Sequence, residues 1–284
     1  MENAVEILDK FLTQQGVINA GMEWRVQSGG RTNHVWHLRG AGCELVCKLY
    51  DHTQDNPLFA NSPVAEFACL QHLDGLGVAP RPFGFVETPL GQVLLYHYVK
   101  GDIWARDAQH VAQLLGRIHK VKPPNGLRQI AGDVDAIVAQ TFGILERLDK
   151  ATASGLIAKQ PHIHAVENVP VCFIHTDVVP GNLIEGKNGL CLIDWQCPAL
   201  GDPIVDMAMF LSPAMHHIYG EHALSIEEQT AFLAGFSDTQ VARYHHLSPL
   251  YHWRMAAYCT WRAQCGDEGY GDAATAELAA LELM

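Results

Sequence analysis

The 284-residue chain has no uninterrupted run of the roughly 18 to 20 apolar residues that a membrane-spanning helix needs. Its first stretch, MENAVEILDKFLTQQG, lacks the basic start of a targeting segment. A cytoplasmic protein without a membrane partner is therefore expected. No internal repeat and no Ser/Gly/Pro-rich tract interrupts the chain. With 48% hydrophobic and 18% charged residues, it is not a disordered sequence. The eight cysteines, at 43, 47, 69, 172, 191, 197, 259 and 265, include no CxxC pair, and most sit in apolar runs. Buried free thiols fit that pattern better than a disulfide framework or a zinc site. The sixteen histidines include His162 and His164 in HxH and the pairs His216-His217 and His245-His246, but no companion ligand stands at a recognised metal spacing. Basic residues are also scarce, 19 against 31 acids, and no Lys/Arg cluster offers a phosphate footprint, so nucleic acid is excluded as a partner. Residues 201 to 284 hold no lysine at all, with eleven acids against three arginines. That bias fits a solvated acidic surface or a pocket for a cationic ligand.

A chain of this length buries a substantial core in one large domain or two lobes. An amphipathic helix is expected over 2–15, then strands over 22–28, 33–40 and 44–50. The next helix starts near 62, where Ser62 suits the N-cap and Pro63 the first helical position, and stops at Asp74-Gly75. Strands over 82–87 and 91–99 flank the turn 88–91. Lys100-Gly101-Asp102 breaks the pattern and separates an N-terminal lobe, 1–99, from a C-terminal one, 100–284. Beyond it helices are expected over 106–120, 133–155, 203–219, 225–236, 248–265 and 272–283. A ribbon interrupts them.

That ribbon is FIHTDVVPGNLIEGKNGLCLIDWQ, residues 173–196. Gly186-Lys187-Asn188-Gly189 reads as a hairpin turn, since Asn-Gly tolerates the positive φ of tight turns. The hairpin is expected to fold Asp194 back toward Asn182 and Asp177. Two carboxylates and a carboxamide are hard oxygen donors, suited to magnesium rather than zinc. Upstream, period-two alternation puts Lys48 on one strand face with Val46 and Tyr50, and Glu66 follows on the first turns of the next helix. In Ser28-Gly29-Gly30-Arg31-Thr32-Asn33, small residues form a turn that lets backbone amides approach phosphate oxygens.

Taken in order, glycine turn, strand lysine, helix glutamate and His175-x-Asp177-x4-Asn182 followed by Ile193-Asp194-Trp195 resemble the protein-kinase-like superfamily. More narrowly, they resemble the aminoglycoside phosphotransferase and choline kinase family, over about 22–265. Gly201-Asp202-Pro203 and Asp206 are similar to that family's second block. The resemblance implies an α+β bilobal fold, with an antiparallel-sheet N-lobe, a mostly helical C-lobe and the nucleotide, ATP or GTP, between them. It implies that Lys48 contacts the α- and β-phosphates and that Glu66 orients it. Ser28, Gly29, Gly30, Thr32 and Asn33 would line the phosphates, with Val46 and the backbone of His97 to Val99 around the adenine. Asn182 and Asp194 would hold Mg2+, and Asp177 would accept or orient the acceptor hydroxyl proton. His175 and Asp206 would brace the loop.

The chain lacks GxGxxG, DFG and APE, and Trp195-Gln196 follows Asp194. A small-molecule acceptor is therefore expected rather than a protein. On the segment YHWRMAAYCTWRAQ, Tyr251, Arg254, Tyr258 and Trp261 fall on one helical face. Such a stripe is ordinarily core, but with the acidic bias it also suits a cationic acceptor such as choline or ethanolamine. Arg254 on the same face cuts the other way, suiting either an acid to neutralise or an anionic acceptor. An aminoglycoside, thiamine, a neutral sugar or an amino acid are the alternatives, as is a nucleotide-binding scaffold without catalysis. The oligomeric state is left open.

Overall fold

The computed structural model describes residues 2–27, 32–40, 42–51, 55–165, 169–220 and 222–284. It divides into two compact units. One comprises Met1–Asn56, Ala60–Asp102 and Ile184–Cys197; the other comprises Pro57–Phe59, Ile103–Leu183 and Pro198–Met284. Apart from the three residues Pro57–Phe59, the first unit is continuous to Asp102. The ribbon, placed by the sequence reading with the second half of the chain, divides at Leu183, and its hairpin and Asp194 pack with the first unit.

In the first unit, α1 (Glu2–Gln14) precedes β1 (Glu23–Val26), β2 (His34–Gly40) and β3 (Cys43–Leu49); α2 (Pro63–Leu73), β4 (Pro82–Thr88) and β5 (Gly91–His97) follow. The sheet order is β1-β2-β3-β5-β4, antiparallel throughout. Alternation decides its core: Leu45, Cys47 and Leu49 pack with Trp36, Leu38, Val93 and Leu95 against Leu8 and Leu12 of α1. Register sets Lys48 opposite Val35 and Leu94, on the other face. Helix α2 begins where Ser62 accepts the Ala65 amide, and Pro63 at its start has no N–H to waste. It buries Pro63, Glu66, Cys69, Leu70 and Leu73, so the face that turns inward carries the glutamate. Phe67 instead stacks half-buried on Phe85. Three short strands follow later: β6 (Asp102–Ile103) pairs with β9 (Leu183–Gly186), which pairs with β10 (Gly189–Leu192). Gly101 is needed there, since a Cβ would collide with the Glu185 carbonyl.

The second unit is helical around a small sheet. Its elements are α3 (Ala108–Ile118), β7 (Arg128–Gln129), α4 (Val134–Leu145), α5 (Lys150–Ile157), β8 (Cys172–Ile174), β11 (Ala199–Gly201), α6 (Ile204–Leu211), α7 (Pro213–Tyr219), α8 (Ile226–Leu233), α9 (Asp238–Gln264) and α10 (Tyr270–Glu282). Strand β11 lies between β7, parallel to it, and β8, antiparallel. The expected helix over 133–155 is two, because Asp149 turns its carboxylate onto the Ala151 and Thr152 amides and starts a new one. The helix expected over 203–219 likewise breaks at Ser212, which caps α7 ahead of Pro213. By contrast, the helix expected to begin at 248 starts ten residues earlier, at the Ser237 capping box, and runs through Pro249. Proline leaves the His245 carbonyl without its helical donor, and the Ser248 hydroxyl supplies one at 3.2 Å. The 27-residue α9 packs against α4, α6 and α10, which is how Tyr244, Leu247, Leu250 and Trp253 all become buried.

Candidate active site

Strand β3 delivers Lys48 to a nearly solvent-free position, 2% exposed. Its Nζ donates to Glu66 Oε2 at 2.7 Å and to Asp194 Oδ1. The Tyr50 hydroxyl donates to the same Glu66 oxygen, and its ring centroid is 5.1 Å from the ammonium. Burial alone would drive the lysine toward its neutral form. The opposing charges of Asp194 and Glu66 outweigh burial and hold its pKa above the ordinary range. A fixed cation results, clamped between two carboxylates.

Asp194 sits at the end of the hairpin with a left-handed backbone, φ +64°. That conformation costs a non-glycine residue roughly 1–3 kcal/mol and persists only where neighbours enforce it. Trp195 does so, fully buried with its indole N–H on the Leu192 carbonyl at 2.8 Å. Gln196 fastens the next step, taking the Asn33 amide at 2.8 Å through its side chain and the Ser62 N–H through its carbonyl. Asn33 also bonds Asn61 and accepts the Asp51 N–H. Asp194 keeps its second carboxylate oxygen clear of hydrogen bonds among the described residues, on a side chain 31% exposed.

At the end of β5, the His97 and Tyr98 amides are committed to the Arg81 and Glu44 carbonyls. The Val99 N–H bonds no backbone oxygen among the described residues. Val46, 6% exposed, lies opposite Tyr96 on the lysine face of the sheet.

In the second unit, Asp206 organises the loop after β8. Its carboxylate accepts the His175 N–H at 3.1 Å, the Thr176 N–H at 2.7 Å and the His119 ring at 2.9 Å. Thr176 is thereby held at φ +74°, and the Asp177 N–H meets His175 Nδ1 at 3.2 Å. A 3-10 turn, Pro180–Asn182, brings Asn182 back so that its amide nitrogen donates to the Asp177 carbonyl at 3.0 Å and carboxylate at 3.1 Å. With its NH2 spent on Asp177, Asn182 presents its amide oxygen as an acceptor. Tyr219 lies beside this loop: burial raises its phenol pKa first, and the Asp177 charge adds to the rise.

The predicted residues therefore gather as two groups: Lys48, Glu66 and Asp194 in the first unit, and His175, Asp177, Asn182 and Asp206 in the second. Thr32 and Asn33 are described; Ser28, Gly29 and Gly30 lie outside the described residues. The aromatic stripe is largely interior. Tyr251, Arg254 and Tyr258 are each 3% exposed, and Trp261 is half-buried. Protein guanidiniums already cover three of the rings in this region: Arg254 stands 4.7 Å from the Tyr251 centroid, Arg262 5.0 Å from that of Tyr270, and Arg147 and Arg262 stand 5.9 and 6.0 Å from that of Trp261. Sequence reasoning missed the bonds of Tyr50, Gln196 and His119. Tyr50 carried a signal, sharing the face of Lys48. His119, 87 residues from Asp206, carried none.

The sequence profile described as the phosphotransferase enzyme family matches residues 23–253. No curated protein sequence matches the chain. Among solved structures, a choline kinase from Streptococcus pneumoniae is 18% identical, with TM-score 0.69 over 99% of this chain and 100% of that one. A choline/ethanolamine kinase family protein from Mesorhizobium loti is 13% identical, with TM-score 0.65 over 98% and 94%. An aminoglycoside phosphotransferase in complex with AMP-PNP and hygromycin B is 14% identical, with TM-score 0.64 over 97% and 98%. At these identities the likeness is one of fold, mixed α+β with an antiparallel N-terminal sheet and a helical C-terminal part. Among the described residues no helix is long and apolar enough to cross a membrane.

Proposed function

The chain belongs to the phosphotransferase enzyme family, and we propose that it moves the γ-phosphoryl group of ATP to a hydroxyl of a small molecule with magnesium as cofactor. The observation that carries this reading is the buried Lys48 held between Glu66 and Asp194. A lysine clamped in this way is a preformed phosphate ligand, and phosphoryl transfer depends mainly on positioning and charge neutralisation. In this reading Lys48 binds the α- and β-phosphates, while Glu66 and Tyr50 fix its direction. The Val99 N–H and the Val46 side chain meet the adenine, and Thr32 and Asn33 follow the glycine turn along the phosphates.

The donor set fits magnesium. Asn182 offers an amide oxygen because its nitrogen is bound to Asp177, and Asp194 offers the carboxylate oxygen that Lys48 does not use. Magnesium bound by these residues would neutralise charge on the transferring phosphate. Asp177 takes the proton of the acceptor hydroxyl, and Asn182 keeps its carboxylate oriented. His175 and Asp206 hold the loop in place through backbone contacts rather than touching the reacting atoms.

A cationic acceptor such as choline or ethanolamine is a second reading, favoured by Phe59 and Trp261 beside Tyr258 at 5.3 and 5.7 Å. Three protein guanidiniums over Tyr251, Tyr270 and Trp261 itself count against it. ADP release tests both readings, with choline, ethanolamine, thiamine, aminoglycosides, sugars and hydroxy amino acids as acceptors. Magnesium-dependent release with any one of them, abolished in Asp177→Asn, supports phosphotransfer. Binding of magnesium-ATP with no turnover on the whole panel would make the chain a nucleotide-binding scaffold.

A further inference from the structure

The turn that carries Asp194 belongs to no helix or strand: residues 193–198 lie between β10 and β11. Carboxamides tie it to other segments of the first unit. Gln196 Oε1 accepts a side-chain N–H of Asn33 at 2.8 Å, and the Gln196 carbonyl accepts the Ser62 N–H at 3.0 Å. Asn33 and Asn61 face each other as a reciprocal amide pair, each donating to the other's oxygen at 2.9 Å. Asn33 Oδ1 also accepts the Asp51 N–H at 3.0 Å, and Asn61 Nδ2 donates to the Asp51 carbonyl at 2.9 Å. A carboxamide offers two N–H donors and an oxygen with two lone pairs. Asn33, 7% exposed, spends all of them on the protein.

Each attachment point lies beside a group assigned to phosphate or metal. Asn33 follows the glycine turn, Asp51 lies three residues beyond Lys48, Ser62 caps α2 four residues ahead of Glu66, and Gln196 stands two beyond Asp194. The bond from Asn33 to Gln196 spans 163 residues of chain. Apolar side chains would fill such a place without any polar group to satisfy, so stability alone does not call for amides. Hydrogen bonds add direction: each has a preferred length and angle, and a fully satisfied buried network holds its segments in one arrangement.

We propose that Asn33, Asn61 and Gln196 are positioning residues for the metal aspartate. They fix Asp194 relative to the glycine turn, Lys48 and the head of α2, so that magnesium meets a carboxylate already aimed. This rests on the reading of Asp194 as a magnesium ligand. The Asn33 carboxamide, being committed, works as an anchor rather than a phosphate ligand. Removing one amide leaves buried partners without bonds and loosens the Asp194 turn, whose φ of +64° persists only while its neighbours enforce it. The cost of ordering that turn then falls on metal binding.

The test is ATP binding to the full chain, titrated by calorimetry in magnesium and again in EDTA. Gln196→Leu should lose about tenfold in affinity with magnesium and less than about threefold in EDTA, the size of one buried bond left unmade. Asn33→Ala, at the other end of the network, should show the same selective loss. Adding Gln196→Leu to it should cost less than about twofold more, because the bond that Gln196 supplies is already gone. Asn61→Ala changes a half-buried residue and serves if either core variant melts below the assay temperature; about threefold should be lost, again with magnesium only. Unchanged affinity, equal losses in magnesium and EDTA, or full additivity would overturn the inference and leave phosphotransfer standing. A wild type that binds no ATP under either condition would overturn both.

Discussion

Lys48 in the first unit and Arg254 in the second are both buried cations, 2% and 3% exposed, yet their surroundings are opposite. Two carboxylates and a tyrosine surround the lysine; a carboxamide and a ring face surround the arginine. His216 shows a third arrangement. Burial depresses its pKa, and the neutral ring donates to the Phe210 carbonyl at 2.8 Å. A buried cation can thus be paired, or it can lose its proton. Arginine has no access to the second route, and Arg254 has not taken the first. The difference separates a cation paired by carboxylates from one held by a neutral amide and a ring face.

The largest effect tests whether the two units divide the work. Asp177→Asn should lower kcat by about 10² to 10⁴ while leaving magnesium-nucleotide affinity within about threefold. Asp194→Asn should weaken magnesium-dependent nucleotide binding as well. Nucleotide titrations at several magnesium concentrations check this, and equal binding defects would erase the division.

Stability sharpens the contrast between the cations themselves. Lys48→Met leaves two carboxylates facing each other without a counter-charge, and should cost about 3 kcal/mol in urea unfolding. Arg254→Met removes a charge that has no partner, and should stay within about 1 kcal/mol of wild type. Similar losses would mean that Arg254 is as much a part of the scaffold as Lys48.

A smaller quantity is the coupling within the first unit. Lys48→Met and Glu66→Gln should each impair kcat/KM, and the double variant should cost less than their sum by about 1 to 3 kcal/mol. Strict additivity would break the pair. The smallest effect concerns His216, whose folded pKa lies below its ordinary 6.5. As pH falls through about 6.5 the unfolded chain takes up a proton that the folded one refuses, so stability drops until the folded pKa is passed. Melting curves between pH 8 and 5 should show a steeper acid limb for wild type than for His216→Gln; parallel curves would remove His216 as the example of discharge.

Much of the fold was legible because local patterns encode it. Period-two alternation placed Lys48 and Tyr50 opposite the core face of β3, and Ser62-Pro63 marked the start of α2. Gly186-Lys187-Asn188-Gly189 marked the hairpin, with Gly189 at φ +104°. The strands β7, β8 and β11 went unread because two or three residues carry no period. The start of α9 was misplaced because Pro249 imitates a helix N-terminus, and only the Ser248 hydroxyl makes it tolerable inside one.

What the sequence determined by itself was the order of the motifs and the face on which each side chain stands, since both follow from spacing along a regular backbone. The tertiary structure alone decided which charges meet. Lys48 and Asp194 are 146 residues apart, Arg254 and Gln140 are 114 apart, and His119 and Asp206 are 87 apart. Periodicity states that a residue turns inward but not what it finds there. Whether a buried charge is paired with a carboxylate, neutral, or held by neutral groups alone is settled by packing between distant segments.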